Sequence, residues 1–306
     1  MEHQTRSAPP LGVSTARVVP SRHLEAGGLR MRVLDWPGGA PPLLLLHGLS
    51  ANANEFAARG ARLAPAHRVV APDLRGRGGT DKPATGYTMA HHAADVLALL
   101  DALGLDRVML GGHSFGALLA AYVAAHHPER VERLVMIDAA IRLHPRVREM
   151  VAPSVERLRR TFASADAYLD ELRRAPYMDG TWDCSIESYF RAEIETLPDG
   201  TVRPATSADA IAQCMQEALS VDWATVMARV PHPVLVLNAT ADYGPPGTGA
   251  LVPEDAARET AASFRDGRYV KVSGNHLTMV FGDHAAIVCD AIERFMTDGA
   301  SRNPIT

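Results

Sequence analysis

Cysteine is scarce in this sequence, and the few cysteines present do not suggest a covalent or metal-bound framework. The 306 residues include three of them, Cys184, Cys214 and Cys289, an odd number at long spacings and without a C-x-x-C pair. A set of disulfides or a structural zinc site is therefore not expected. Long apolar runs are missing too, since no segment approaches the ~20 apolar residues that a membrane-spanning helix needs.

Basic charge is also in short supply. Lysine and arginine together number 31 against 35 aspartates and glutamates, which gives a formal net charge of −4. Proteins that bind nucleic acids usually carry a basic surplus, so this class of partner is not expected. Residues 1–20 are polar, are interrupted by prolines and lack the continuous apolar stretch of a secretory signal. We expect these residues to form a flexible tail, and we expect a cytoplasmic protein that binds neither membrane nor nucleic acid.

What the sequence does contain is an ordinary globular composition, with 47% hydrophobic and 22% charged residues. Short apolar segments of strand length alternate with longer segments in which apolar residues recur at helical spacing. This alternation predicts an α/β fold with a mostly parallel sheet, covered by helices on both faces. The predicted strands are residues 29–34, 42–46, 67–71, 107–110, 133–137, 233–237 and 268–272.

The alternation breaks over residues 139–230, where helical patterns continue but no segment has the pattern of a strand. This interval is interpreted as an insertion between two strands of the sheet. The sequence therefore predicts three parts: the tail 1–20, a core domain formed by 21–138 and 231–306, and a helical insertion at 139–230.

The strongest chemical signal is the segment Gly112-His113-Ser114-Phe115-Gly116. It follows a predicted strand and precedes an alanine-rich helical segment, which is the context of a G-x-S-x-G nucleophile elbow. A serine in such a tight, strained turn projects its oxygen above the sheet, and the flanking glycines leave room where side chains would collide. We therefore predict that Ser114 is a nucleophile.

A serine needs a base, and the base needs a group that orients it. His276 lies in a glycine-containing loop directly after the last predicted strand, at the edge of the sheet where ligands bind in such folds. Two acids follow the serine in the chain and lie at the carboxyl ends of strands, Asp138 and Asp242. Strand position alone does not choose between them.

This set and order of motifs resembles the α/β-hydrolase superfamily, in its serine-nucleophile branch. The resemblance covers nearly all of residues 24–296 and implies a mostly parallel eight-stranded sheet flanked by helices, with 139–230 as a helical lid. In most members the acid follows the strand after the lid, which implies Asp242; a minority would use Asp138. The Gly/Pro-rich segment 243–253 could also bring Asp242 beneath the imidazole. We therefore predict Asp242 as the triad acid, with Asp138 holding loop backbone.

The resemblance also implies an oxyanion hole. His47-Gly48-Leu49 looks like the family's HG turn, whose backbone amide is carried over to Leu49 N–H, and the second donor is Phe115 N–H. His47 is expected to hold this turn rather than act as a base. The charged loop 73–81 resembles an architectural loop of the family and is not assigned to the site. No phosphate-binding, dinucleotide or metal-ligand motif occurs, so neither a cofactor nor a metal is expected.

The predicted insertion is rich in aromatic residues, which commonly line small-molecule pockets. Tyr177, Trp182 and Tyr189 are our candidates for contacts with substrate. The expected function is hydrolysis of a carboxylic ester or lactone of a small hydrophobic molecule through an acyl-enzyme. The same triad also serves carbon–carbon bond hydrolases and perhydrolases, and a ligand receptor of this fold keeps it without rapid turnover. Substrate identity and oligomeric state do not follow from these residues.

Overall fold

The computed structural model describes residues 21–178 and 180–297. The predicted tail at residues 1–20 lies outside the described residues. In chain order, the strands are β1 (Ser21–Ala26), β2 (Leu29–Trp36), β3 (Leu43–Leu46), β4 (Val69–Pro72), β5 (Val108–His113), β6 (Val131–Ile137), β7 (Ile194–Thr196), β8 (Val202–Pro204), β9 (Val234–Ala239) and β10 (Gly267–Val272).

The helices lie between these strands. They are α1 (Ala57–Leu63), α2 (Met89–Ala102), α3 (Phe115–His126), α4 (Val147–Arg157), α5 (Ala165–Arg173), α6 (Cys184–Arg191), α7 (Ala208–Ala218), α8 (Trp223–Met227), α9 (Glu254–Ser263) and α10 (Gly282–Thr297). Short 3-10 turns occur at Ala53–Phe56, Pro128–Arg130, Pro176–Met178 and Thr278–Val280. Among the described residues, no helix combines the length and apolar character needed to cross a bilayer.

Eight strands form one sheet in the order β1-β2-β4-β3-β5-β6-β9-β10. The pairs β1–β2 and β2–β4 are antiparallel, and every other neighbouring pair is parallel. The predicted mostly parallel sheet of the α/β-hydrolase fold is therefore confirmed. The sequence analysis did not identify β1 as a strand, because its residues are mostly exposed and lack the alternation that marks a half-buried strand.

The central strands are buried on both faces, which explains why they read as continuous apolar runs. In β3, Leu43 and Leu45 pack into the core that also holds α1 and α10, whereas Leu44 and Leu46 pack into the core that holds α2 and α3. Because side chains of a strand alternate between faces, a four-leucine run is what a strand between two apolar cores requires.

The predicted insertion, residues 139–230, contributes to both cores. Helices α5 and α6 add to the core on the α10 side, and α7 and α8 add to the core on the α3 side. The insertion also contains the two-stranded antiparallel sheet β7–β8, which the sequence did not predict. Each of these strands has only three residues, some of them charged or polar, which is too short to show the alternation of apolar and polar residues that predicts a strand.

The turn between β5 and α3 positions the candidate site, and its backbone passes very close to the end of β3. A Cβ on Gly116 would lie 2.0 Å from the carbonyl oxygen of Leu46, and one on Gly112 would lie 2.2 Å from the carbonyl carbon of Gly116. Both glycines are therefore required by space, as the sequence predicted. Helix α3 consequently begins directly against the end of β3.

Gly116→Ala should strongly destabilise the fold, because its methyl group would meet main-chain atoms that cannot rotate away. We expect a loss of about 3 kcal/mol or more in the free energy of unfolding, measured by urea denaturation. Gly104→Ala is the matched control: Gly104 has a φ of +64° but nothing within 4 Å of its Cβ position, so only about 1–2 kcal/mol of backbone strain is expected. Equal losses in the two variants would contradict this role for the close approach.

Candidate active site

Ser114 stands at the strained turn between β5 and α3. Its φ of 54° and ψ of −119° lie outside the regions that residues with a side chain usually adopt. Its backbone N–H donates to the carbonyl of Ile137 at 2.8 Å, which ties the turn to the end of β6. The hydroxyl thus projects from a turn fixed on both sides, as a nucleophile elbow requires.

His276 lies in the loop after β10, and both of its ring nitrogens have partners. Nε2 is 3.0 Å from Ser114 Oγ, and Nδ1 is 2.6 Å from Asp138 Oδ2. Since a carboxylate only accepts, the proton belongs on Nδ1, and Nε2 is left to accept the serine proton. The structure therefore brings Ser114 and His276 together, as the sequence predicted.

Asp138 is the residue immediately after β6, and it is buried with a φ of 49°. While Oδ2 faces His276, Oδ1 accepts hydrogen bonds from Asn238 Nδ2 and from the Ala239 amide, both at 2.9 Å. These hydrogen bonds fix the direction of the carboxylate. The triad geometry is therefore Ser114–His276–Asp138.

The prediction of Asp242 as the acid beside His276 is wrong. Asp242 accepts the amides of Gly247 at 2.8 Å and Gly249 at 2.6 Å, so its carboxylate closes its own loop. These amide hydrogen bonds lower the pKa of Asp242. The physical reason is that the amides of its own loop already take up the Asp242 carboxylate. Asp242 lies beyond the end of β9, while the left-handed turn at Asp138 delivers a carboxylate at the strand end itself.

The loop closed by Asp242 still has a place near the site, because it carries Tyr243. The Tyr243 ring lies edge-on to the His276 ring, with centroids 5.5 Å apart. Asn275, the residue before the histidine, donates to the carbonyl of Asp242 at 3.3 Å and to that of Tyr177 at 2.7 Å. The Asp242 loop therefore packs around His276 without supplying the triad acid.

Leu49 and Phe115, predicted as the amide donors of an oxyanion hole, line the same cavity as Ser114. His47 holds the turn before Leu49: its Nδ1 bonds the carbonyl of Gly48 at 2.9 Å, and its Nε2 accepts the Leu74 amide at 3.0 Å. Burial lowers the pKa of His47 to about 4, so this ring is neutral at physiological pH. The structural role expected of His47 matches these contacts.

Sequence reasoning missed Glu55, a carboxylate buried behind the site. Its Oε2 accepts the Gly48 amide at 3.1 Å, and its Oε1 is 2.8 Å from Nδ1 of His113. The Nε2 of His113 in turn bonds the carbonyl of His276 at 2.9 Å. Burial would raise the pKa of Glu55, but His113, Arg59 and the Gly48 amide hold it at about 2. One ionised carboxylate thus links the HG turn to the loop of His276.

Arg77 was also missed, because its loop resembles an architectural one. Its guanidinium is fully buried, and Nε donates to the carbonyl of Leu49 at 3.0 Å. The same group lies over the Phe115 ring, 5.3 Å from the centroid. Arg77 therefore contacts both residues whose amides are candidates for the oxyanion hole. Neighbouring Asp73 does act as loop architecture, accepting the amides of Ala53 and Gly79.

Two cavities meet at Ser114, and we call them the apolar lobe and the polar lobe. The apolar lobe is lined mainly by aliphatic side chains of the core and of the insertion, among them Leu118, Leu143, Val147, Val151, Met215, Leu219 and Leu251. The polar lobe is lined by Ser114 and His276 together with Arg157, Tyr177, Tyr189, Glu193 and Tyr243. Ser114 and Leu49 line both lobes, so a molecule bound in either lobe would lie beside the Ser114 hydroxyl.

The three aromatic residues proposed for substrate contacts are not placed together. Tyr177 and Tyr189 line the polar lobe. Trp182 does not line either lobe; its ring stacks on Phe190 at 5.9 Å and receives the guanidinium of Arg173 at 4.9 Å. The tryptophan therefore packs against other residues of the insertion.

In the part of the chain that the structure describes, no group of three or more histidine, cysteine, aspartate or glutamate side chains could hold a metal ion. The cysteines at positions 184, 214 and 289 are all free.

Comparison with known proteins bears on this site. A model of the α/β-hydrolase fold family matches residues 41–177. The 2-(acetamidomethylene)succinate hydrolase of Mesorhizobium japonicum is 29% identical over 221 residues, which are 71% of this chain and 77% of that protein. A crystal structure of E-2-(acetamidomethylene)succinate hydrolase superposes with a TM-score of 0.79 at 27% identity, covering 90% of this chain and 98% of the other. The chain therefore has the α/β-hydrolase fold.

Another relative, the 2-hydroxymuconate semialdehyde hydrolase of Pseudomonas putida, is 40% identical over 122 residues, 39% of this chain and 43% of that protein. This similarity thus spans less than half of either protein. Leu49, Ser114 and Asp138 all lie within the residues that match the α/β-hydrolase model, whereas His276 lies beyond them. The relatives named here are hydrolases, and they differ in the compounds for which they are named.

Asp138→Asn should lower kcat for a 4-nitrophenyl ester by about 10⁴-fold, because an amide cannot hold His276 with its proton on Nδ1. Asp242→Asn is the matched control. We expect it to change kcat by less than about tenfold and to act mainly on thermal stability, since its partners are the amides of its own loop. A larger loss of kcat in the Asp242 variant would contradict the geometry described here.

The pH dependence of kcat/KM should show an acidic limb centred below pH 6.5. Burial, reinforced by the nearby His113, lowers the pKa of His276, while Asp138 opposes the shift. A base accepts a proton only when neutral, so a lowered pKa keeps His276 competent at more acidic pH. The profile should be measured with a substrate that does not ionise between pH 4 and 9. An acidic limb centred at pH 7 or above would contradict this assignment.

Proposed function

We propose that this α/β hydrolase is a serine hydrolase that cleaves a carboxylic ester or lactone through an acyl-enzyme. The observation that carries the proposal is the hydrogen-bonded chain from Ser114 through His276 to Asp138 at a strained strand–helix turn. A serine with an oriented base is the minimal apparatus for acyl transfer.

The proposed reaction begins when Ser114 Oγ attacks the carbonyl carbon and its proton passes to His276 Nε2. The carbonyl oxygen becomes an oxyanion that accepts hydrogen bonds from the amides of Leu49 and Phe115. His276 then gives its proton to the leaving alcohol, and the C–O bond breaks to leave an acyl-serine. Water, deprotonated by the same imidazole, releases the acid and restores the serine. Asp138 stays ionised and stabilises the imidazolium at each step.

Several features support an acyl substrate over other compounds that this fold can hydrolyse. Epoxide and haloalkane hydrolases of the fold use an aspartate nucleophile, and position 114 is serine. Leu49 and Phe115 line the apolar lobe beside that serine, where a carbonyl oxygen could meet their amides. The aliphatic lining of the apolar lobe agrees with the hydrophobic part of an ester or lactone.

An aryl phosphonate should add one covalent group to the native protein, and Ser114→Ala should abolish both this labelling and ester turnover. Intact-mass and peptide mass spectrometry locate the label. Ser188→Ala, a change at an exposed position on α6, is the control and should label and turn over like the native chain. Labelling of the Ser114 variant at another serine would overturn the assignment.

The bond cleaved is tested separately with a panel of short esters, lactones, amides and vinylogous diketones. Multiple turnover of esters or lactones with kcat/KM above that for the amides supports the proposal. A protein that is labelled at Ser114 but cleaves only the diketones would be a carbon–carbon bond hydrolase. One that releases a single equivalent of product would act as a receptor.

A further inference from the structure

The polar lobe contains a buried cation that the proposed acyl chemistry does not use. Arg157 is the last residue of α4, is 7% exposed, and lines the polar lobe together with Ser114 and His276. Guanidinium groups stay charged throughout the physiological pH range. A positive charge therefore stands inside the cavity in which substrate would be bound.

The hydrogen bonds of Arg157 leave part of this cation unsatisfied. Nη1 donates to the hydroxyl of Tyr177 at 3.1 Å, and Nη2 is 3.9 Å from Oε2 of Glu193, too far for a hydrogen bond. The N–H at Nε is buried, and no acceptor among the described residues takes it. A buried donor without a partner is costly and uncommon in a native protein, so this N–H is a candidate for bonding a ligand.

The acids that face the polar lobe have partners besides Arg157. Oε2 of Glu193 accepts the Tyr168 hydroxyl at 2.6 Å, and burial raises the pKa of Glu193 while the charge of Arg157 opposes the shift. Glu55, the other acid of the lobe, lies 2.8 Å from His113 and 3.7 Å from Arg59. Neither acid accepts the N–H at Nε of Arg157, which leaves this donor for an anion.

Arg157 also lines a neighbouring groove. Tyr177 and Tyr243, which line the polar lobe as well, take part in that groove, and its charged lining includes Arg146 and Arg174 together with Glu149 and Glu171. The rings of Tyr177 and Tyr243 stack with centroids 5.4 Å apart. The guanidinium of Arg157 thus lies where two cavities share lining residues.

We propose that the polar lobe binds a carboxylate carried by the substrate, with Arg157 as the anchoring residue and Tyr177 as its partner. This inference rests on the proposed function and narrows its substrate to esters or lactones with a free carboxylate. The planar guanidinium suits the two oxygens of a carboxylate, and Nε–H supplies a donor that is still unused. The apolar part of such a substrate would then occupy the apolar lobe.

The test compares anionic esters with neutral partners of the same length. Monoethyl succinate, glutarate and adipate are measured against their diethyl esters, and 4-acetoxybutyrate is measured against its ethyl ester to place the carboxylate on the alcohol side. We expect at least one anionic ester to exceed its neutral partner in kcat/KM. Arg157→Gln should reduce this ratio by about 10–100-fold, the usual effect of a hydrogen bond to a charged group.

Variants separate binding from folding. Arg157→Gln/Glu193→Gln removes both members of the buried pair, so that no acid is left unpaired if the single variant is unstable. Arg157→Lys keeps the charge but lacks Nε–H and should regain part of the ratio. Arg159→Gln is the control, since Arg159 is exposed and pairs with Asp209 at the surface; its ratio should equal that of the native chain.

The inference is overturned if the native protein prefers no anionic ester, or if the Arg157 variants keep the preference. In both cases neutral esters would still be hydrolysed and Ser114 still labelled. Failure of the proposed function looks different, because neither neutral nor anionic esters would then be turned over and the phosphonate would not label Ser114.

Discussion

The contact between Gly116 and the carbonyl of Leu46 holds together parts of the site that come from different strands. Leu46 ends β3 and leads into the turn that carries the Leu49 amide, while Gly116 follows Ser114 by two residues. A Cβ at this position would lie 2.0 Å from the Leu46 oxygen, so the two main chains approach as closely as glycine allows. The position of the nucleophile relative to that amide is therefore set by backbone, which has no rotamers to sample.

Buried carboxylates orient the polar groups around Ser114 within this backbone arrangement. Burying an isolated charge costs several kcal/mol, so each must be matched. Asp138 has Asn238 and the Ala239 amide besides His276, and Glu55 has His113 and the Gly48 amide. These groups are oriented before any substrate binds, and preorganised dipoles of this kind stabilise charge that develops during a reaction. The same carboxylates that hold the loops in place thus shape the electrostatics at Ser114.

Local patterns were enough to predict the sheet, the elbow at Ser114 and His276, because each is encoded within a few consecutive residues. The choice between Asp138 and Asp242 was not local. Both follow strands, and what separates them is the left-handed φ at Asp138 and the loop amides that take up the Asp242 carboxylate. The proximity of Arg157 and Glu193 could not be predicted from local patterns either, since the two residues lie 36 positions apart in the sequence. Only the packing of the insertion places the two side chains in one cavity.

Different parts of the fold hold the triad acid and line the cavities beside it. The carboxylate of Asp138 is held by Asn238 and Ala239 at the end of β9, so the triad acid is fixed by the sheet and not by the insertion that begins next in the chain. Helix α4, by contrast, contributes Val151 to both lobes and Arg157 to the polar lobe. A shift of α4 would change the width of both lobes and the position of the cation together. It would leave the hydrogen bonds among Ser114, His276 and Asp138 intact, because none of them involves a residue of the insertion.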